Sequence, residues 1–273
     1  MGQTVALDKA CLHVAVAFAF SLVTVSTGML DSITTELGYS HYAEAPVSWL
    51  PPLLAMPFNS LVNLGYIYLG IYWLTQDDRT IGIKDQRGHY MKNIFSWMAL
   101  AYGPVQWVRI WTQGHWAAVL DQWFTLPIFA WVIVWCSSIL NSWNSQRFIA
   151  MEITSLSSYI MALLHPHGFE FALSLHILLA VVSGLRLQSC HGDASSKKYL
   201  VLAVISCLGF VGMKLLDHWL ARFFFFKRLT GHFWSKVCDV LQFHFAFCFL
   251  CHLDKHRPLK TQRSQNARIK GDK

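Results

Sequence analysis

Apolar residues fall in eight long runs separated by short polar joints, near residues 10–30, 49–74, 93–113, 117–139, 147–165, 168–185, 199–222 and 231–252. A helix needs about twenty mostly apolar residues to cross about 30 Å of hydrocarbon, and each run approaches or exceeds that length. The pattern predicts an all-α polytopic membrane protein with about eight transmembrane helices. They form one transmembrane domain over 1–252, followed by a basic, disordered cytosolic tail at 253–273.

Composition narrows the picture. Of 273 residues 54% are hydrophobic and 14% charged, so polar residues must concentrate in the joints and the tail, and no stretch remains for a separate soluble domain. The seven cysteines, at 11, 136, 190, 207, 238, 248 and 251, lie almost all inside or at the ends of runs. They imply no extracellular disulfide framework. No Asn-x-Ser/Thr sequon occurs, and Ala6 stands where a myristoylation signal beginning at Gly2 needs Ser or Thr.

A net charge of +7 would suggest nucleic acid for a soluble protein, but here its distribution reads as orientation. Topology follows Lys and Arg in short loops rather than net charge. With the amino terminus in the cytosol, the cytosolic side carries Lys9, Arg79, Lys84, Arg87, Lys92, Arg147, Arg186, Lys197 and Lys198. The tail adds Lys255, Arg257, Lys260, Arg263, Arg268, Lys270 and Lys273, making sixteen. The opposite side carries only Arg222, Lys227 and Arg228, and the loop from Asp31 to Trp49 has acids and no base. Both termini are therefore expected in the cytosol, with plasma and internal membranes both open. The tail would lie near anionic lipid.

The first run has a competing reading as a signal peptide cut near Ser26 or Gly28. Its apolar core from Cys11 to Val25 is long for that purpose, and Lys9 beside Asp8 is a weak leading charge. An uncleaved helix is expected.

Ionisable residues inside a span are functional candidates, because each costs about 2.5 to 3.5 kcal/mol to insert unless something receives it. Depth follows from about 1.5 Å per helical residue. Asn59, Arg109, Asp121, Lys214, Asp217, His218, His232 and Lys236 then share the non-cytosolic half of the membrane, on five different helices. The bland account is a set of interhelical ties: Asp121 with Arg109 or Lys236, and Lys214 with Asp217 or snorkelling outward. So many groups at one depth favour a polar cavity. On the last helix His232, Lys236, Asp239 and Phe243 follow at i, i+4, i+7 and i+11, one helical stripe. His13, His176 and His244 read as packing histidines. Cys248-Phe-Leu-Cys251-His252 matches a haem-attachment pattern, but on the wrong side of the membrane for it. No phosphate loop, G-x-S-x-G elbow or H-E-x-x-H occurs.

The strings HYAEAP from His41, LAMPFNSLVNLGY from Leu54, YGPVQW from Tyr102, AVLDQWFTLPIFAW from Ala118 and GHFWSKVCDVLQFHFAF from Gly231 resemble the vertebrate transmembrane protein 187 family over essentially the whole chain. That resemblance implies a multi-pass membrane protein and brings no activity with it. A more distant resemblance is to alkaline ceramidases and the progestin and adipoQ receptors, seven-helix proteins built around zinc. Asn59, Ser60 and Asn63 partly match the Asn-Thr-x-Ser-Asn opening of the first ceramidase core helix, and Leu120-Asp121-Gln122 its acidic third-helix start. The runs from 49 to 252 would be that seven-helix core, with the first run added in front. The resemblance implies that Asp121 and His232 correspond to members of a zinc site.

The departures from that pattern matter more. Lys236 stands where the second histidine of the last-helix pair belongs, and the third run offers Gln106, Trp107 and Arg109 but no histidine. Two of the three implied histidine ligands are missing, and an ammonium would neutralise Asp121 in place of the metal. No cofactor is expected; a rebuilt zinc site would have to draw on Asp121 and His232 with His218 and His115. The expected function is non-catalytic: a lipid-binding, receptor-like or scaffolding relative of zinc-dependent membrane hydrolases. Membrane lipids are the expected partners, nucleic acid is not, and no protein partner is designated. An active metal-dependent lipid amide hydrolase with altered ligands is the alternative, and a transporter or channel the third.

Overall fold

A chain in hydrocarbon must pair every backbone N–H and C=O within its own segment, and helix is the only regular structure among the described residues. The structure, a computed structural model, describes residues 2–76, 86–141 and 144–256. Its long helices are α1 (Gly2–Ser26), α2 (Leu64–Thr75), α3 (Gln86–Thr112) and α4 (His115–Leu140), then α5 (Ser145–Ser158), α6 (Gly168–His191), α7 (Ala194–Leu215) and α8 (Gly231–Lys255). Short turns Met161–Leu164 and Asp217–Leu220 extend α5 and α7.

Six of these helices are long and apolar enough to cross a membrane: α1, α4, α5 with its extension, α6, α7 and α8. The second predicted span is not one continuous helix. Pro51, Pro52 and Pro57 break its start into a 3-10 turn, Pro52–Leu54, and a helical turn, Pro57–Leu61, because proline lacks the N–H a helix interior needs. A second irregularity at Val62 and Asn63 has a local cause. The Asn63 side-chain amide donates to the Asn59 carbonyl at 2.9 Å and the Trp107 indole to the Ser60 carbonyl at 2.7 Å. Two carbonyls that would receive the N–H groups four residues on are thus diverted to side chains. Both residues keep right-handed helical backbone angles, so the turn and α2 follow one path.

The third predicted span starts earlier than its apolar run, at Gln86 rather than 93, and reaches Thr112. Its polar residues are tolerated because the helix is central: Lys92, Asn93, Gln106 and Arg109 are all buried by protein. Helix α4 is the hub of the bundle, touching α1, α3, α5, α6 and α8. Over a bilayer-length window 72% of it is buried, against 17–28% for α1, α5, α6 and α7, which turn apolar faces outward. The last helix continues through Leu253 and Asp254 to Lys255, where the 253–273 tail was expected to begin. Leu253 is buried and Asp254 accepts from the Trp135 indole at 3.2 Å, which holds this extra turn. Residues 257–273 of that tail lie outside the described residues.

Two kinds of interior result. On the side where α3 and α7 begin, the bundle is filled by rings: Trp73 stacks on Phe247 at 4.8 Å and Phe95 on Phe243 at 5.2 Å, with Trp135 alongside. On the side where α4 and α8 begin, buried polar side chains gather instead. The connection from residue 27 to 56 folds over that end. Gly28 and Gly38 supply left-handed backbone there, and Leu30 and Ile33 are buried.

Candidate functional site

Asp121 sits in the second turn of α4, buried against α3. Both carboxylate oxygens are engaged: Gln106 Nε2 donates to Oδ1 and Arg109 Nη1 to Oδ2. Gln106 and Arg109 are three apart on α3, so both reach the same neighbour. Arg109 Nη2 also donates to the Glu36 carbonyl of the overlying loop at 3.4 Å.

One turn further into the membrane, Lys236 of α8 is buried between two tyrosines. Its ammonium donates to Tyr102 Oη at 3.3 Å and lies 5.1 Å from the Tyr102 ring centre and 5.9 Å from that of Tyr66, within cation–π range. Tyr102 meets Thr125 at 3.2 Å, and Thr125 donates back to the Asp121 carbonyl at 2.9 Å. Tyr66 donates to Asp239 Oδ2 at 2.6 Å. Arg109, Asp121, Lys236 and Asp239 are thereby joined through Gln106, Thr125, Tyr102 and Tyr66, side chains from α2, α3, α4 and α8.

The loop forms a roof over this cluster. His41 pairs with Glu36, and its ring meets His232 edge-on at 5.6 Å, while Tyr42 meets His232 at 4.8 Å. Burial, with the charges of Arg109 and Lys214, pushes the His41 imidazole down to about 3 against the opposing pull of Glu36. For Glu36 burial pushes upward, but the hydrogen bond and charge of His41 hold the carboxyl below its usual value. Burial raises the Tyr42 hydroxyl to about 12. Glu44, almost fully buried, accepts from the backbone N–H groups of Phe58 and Asn59 at 3.2 and 3.0 Å and from Asn59 Nδ2 at 2.7 Å. Burial still raises its carboxyl.

The remaining candidates are more scattered. Asn59 belongs to the Glu44 knot. Asp217 is buried and accepts the His232 N–H at 2.9 Å, fixing the start of α8. Gly231 permits that approach, since a Cβ there would stand 2.6 Å from the Met213 carbonyl. His218 is exposed on the extension of α7; the Lys214 side chain is partly open to the surface, but its charge reaches Glu36 and His41 of the roof. His115 donates to the Ile33 carbonyl at 2.6 Å.

Glu36, His41, Tyr42, Glu44, Tyr66 and Tyr102 take part without having been singled out from the sequence. For the first four the only signal was two acids, a histidine and a tyrosine close together in a loop that has no base; Tyr66 and Tyr102, inside α2 and α3, gave none.

The donor set does not fit zinc. Asp121 already spends both oxygens on Arg109 and Gln106, His115 is held by a carbonyl and His218 faces outward. No three His, Cys, Asp or Glu side chains converge on one point among the described residues. Nor is the cluster hollow: the depression above Arg109 and Tyr42 measures about 10 Å³, room for about one water. Even so, Tyr42 Oη, His41 Nε2 and Asp239 Oδ1 are buried without a hydrogen-bond partner.

Several bilayer-length apolar helices around a buried polar centre define an integral, multi-pass membrane protein. The chain belongs to the TMEM187 protein family, which it matches over residues 10–251. It is 56% identical over 247 residues to transmembrane protein 187 of Bos taurus, covering 90% of this chain and 96% of that one. To transmembrane protein 187 of Homo sapiens it is 55% identical over 248 residues, covering 91% and 94%. No solved structure matches.

Proposed function

We propose an eight-span membrane protein of ceramidase-like architecture that has no hydrolytic role and binds a membrane lipid at its roofed polar centre, the 27–56 loop lifting to admit the polar head, as a receptor or scaffold. The observation that carries this reading is the engagement of Asp121 by Arg109 and Gln106 beside the Lys236 ammonium. A hydrolase of that architecture would keep this carboxylate for a metal. Here it serves a guanidinium, while Tyr42, His41 and Asp239 keep unused hydrogen-bonding atoms close by. The count of eight adds α2 and α3 to the six apolar helices. The path from Pro57 to Thr75 spans about 28 Å and α3 about 40 Å at 1.5 Å per residue, and α3 is lined by protein rather than lipid. The excess of cytosolic bases supports an orientation with both termini inside.

The test measures zinc by elemental mass spectrometry, fatty-acid release from a ceramide panel and co-purifying lipids, on protein in mild detergent. Zinc at background, no turnover, and a bound lipid lost in Lys236→Met are the expected results. His232-dependent release of fatty acid would overturn the reading.

One observation favours a transporter instead. The cytosolic half also holds an ionisable cluster: His13 of α1 pairs with Glu152 of α5 and meets Tyr90 of α3 at 2.7 Å. Polar groups at both depths are what alternating access requires, and solute flux in proteoliposomes decides between the two.

A further inference from the structure

Helices α7 and α8 are both long and apolar enough to cross the membrane, so the chain between them must lie at a membrane face. That connection is unlike the other joints. It carries four consecutive phenylalanines, Phe223 to Phe226, bracketed by Arg222 on one side and Lys227 and Arg228 on the other. No acid occurs from His218 to Cys238.

The rings are not packed into the bundle. Phe224 is 90% exposed, and Trp219, Phe223 and Phe225 are more than half or about half exposed. A 3-10 turn, Phe224–Lys227, holds the tip in shape, with Phe225 edge-on to Phe226 at 5.2 Å and Trp219 edge-on to Phe223 at 5.0 Å. Arg222, Lys227 and Arg228 are exposed as well. A contiguous apolar patch of this kind needs a cover.

Two features identify the cover. Exposed Val201, Ile205, Leu208 and Leu215 of α7 follow helical spacing along one face, and Trp219 extends the same stripe into the tip. A surface that faces acyl chains lower down continues without interruption into the rings. The bases on both flanks then stand at the level of lipid phosphates, where aromatic rings and cations collect in membrane proteins.

We infer that the α7–α8 connection is an interfacial anchor, its phenylalanine tip inserted among the lipid headgroups of the leaflet it faces and its three bases laid on lipid phosphates. The bases are also the three exceptions to the cytosolic bias of Lys and Arg. Phosphate contact accounts for their presence on the side where loop bases are otherwise missing. The anchor needs only that α7 and α8 cross, and is independent of the role given to the polar centre.

The test uses the full chain in vesicles of phosphatidylcholine, with and without phosphatidylglycerol, doped in parallel samples with a phospholipid bearing a diazirine near its glycerol, which reads residues 219–226, and with one bearing it near the end of an acyl chain, which reads Ile205. Labelled positions are mapped by mass spectrometry. Adducts are expected on residues 219–226, at higher yield with phosphatidylglycerol. Replacing Arg222, Lys227 and Arg228 by Gln should lower that headgroup preference by roughly fivefold per base removed. Phe224→Ser/Phe225→Ser, which alters only outward-facing rings, should lose the adducts while Ile205 stays labelled. Label on Ile205 with none on 219–226 overturns the anchor. So does tryptic cleavage at Lys227 or Arg228 in intact vesicles as fast as in the free peptide. Absence of label from both sites strikes the crossing of α7 itself.

Discussion

In one half of the bundle Arg109, Asp121, Lys236 and Asp239 are buried at neighbouring levels, whereas in the other the same central helices present Phe95, Trp135, Phe243 and Phe247. Rings fill space without needing a particular partner atom, and adding a ring adds cohesion. A buried charge is tolerated only while its partner is in place, and removing one member leaves the other worse off than in water. The aromatic half therefore holds the helices together. The polar half specifies how α2, α3, α4 and α8 are rotated against one another, and it keeps buried charges on the roofed side.

The contrast predicts different responses to substitution. Asp121→Ala strands Arg109 and should cost about 3 to 5 kcal/mol of stability, whereas Arg109→Met/Asp121→Leu, which removes both charges, should be close to the parent or better. Unfolding by SDS titration in mixed micelles reads both, and additive losses in the double variant would end the claim that the pair acts as a unit. Phe247→Ala in the ring-packed half should cost about 3 kcal/mol through the cavity it opens, with no compensating second substitution near it. Recovery on adding Phe95→Ala would mean that the two halves do not differ in kind.

The smallest effect concerns the roof and depends on pH. In the folded protein His41 is held near 3, far below its ordinary 6.5, so an undocked loop takes up a proton that the docked loop refuses. Docking is fully favoured above about pH 6.5 and is lost as the pH falls toward 3. The lowered carboxyl of Glu36 acts in the same direction at the acid end, and the raised carboxyl of Glu44 opposes both. Amide exchange over residues 36–46, corrected for intrinsic rates, should accelerate at pH 4.5 relative to pH 7, and less so in His41→Phe. Equal protection at both values would detach the roof from these groups.

Much of this arrangement was legible in the chain. The fourth apolar run, 117–139, matches α4 within two residues, because a hub helix surrounded by protein and lipid alike is apolar throughout. Arg109 and Asp121 were read at one depth and do meet. His218 was read at the same depth and faces outward, whereas the Lys214 charge does reach the roof. Rise per residue gives height along a helix, but the angle around its axis is set by packing that one helix does not contain. Helix interruptions were partly visible, in Pro51, Pro52 and Pro57, and partly not, since the break at Asn63 depends on an indole from α3. Glu44 and Tyr42 were out of reach because a loop has no period by which to tell where it returns.

The pairing of His13 with Glu152 also has a consequence for how the protein is made. The two residues are 139 positions apart, so at ordinary translation speeds α1 leaves the ribosome on the order of ten seconds before its partner helix exists. During that interval α1 must wait beside the insertion channel, and α5 must find it on arrival. Until α1 and α5 meet, the acid of the fifth helix lacks its histidine partner.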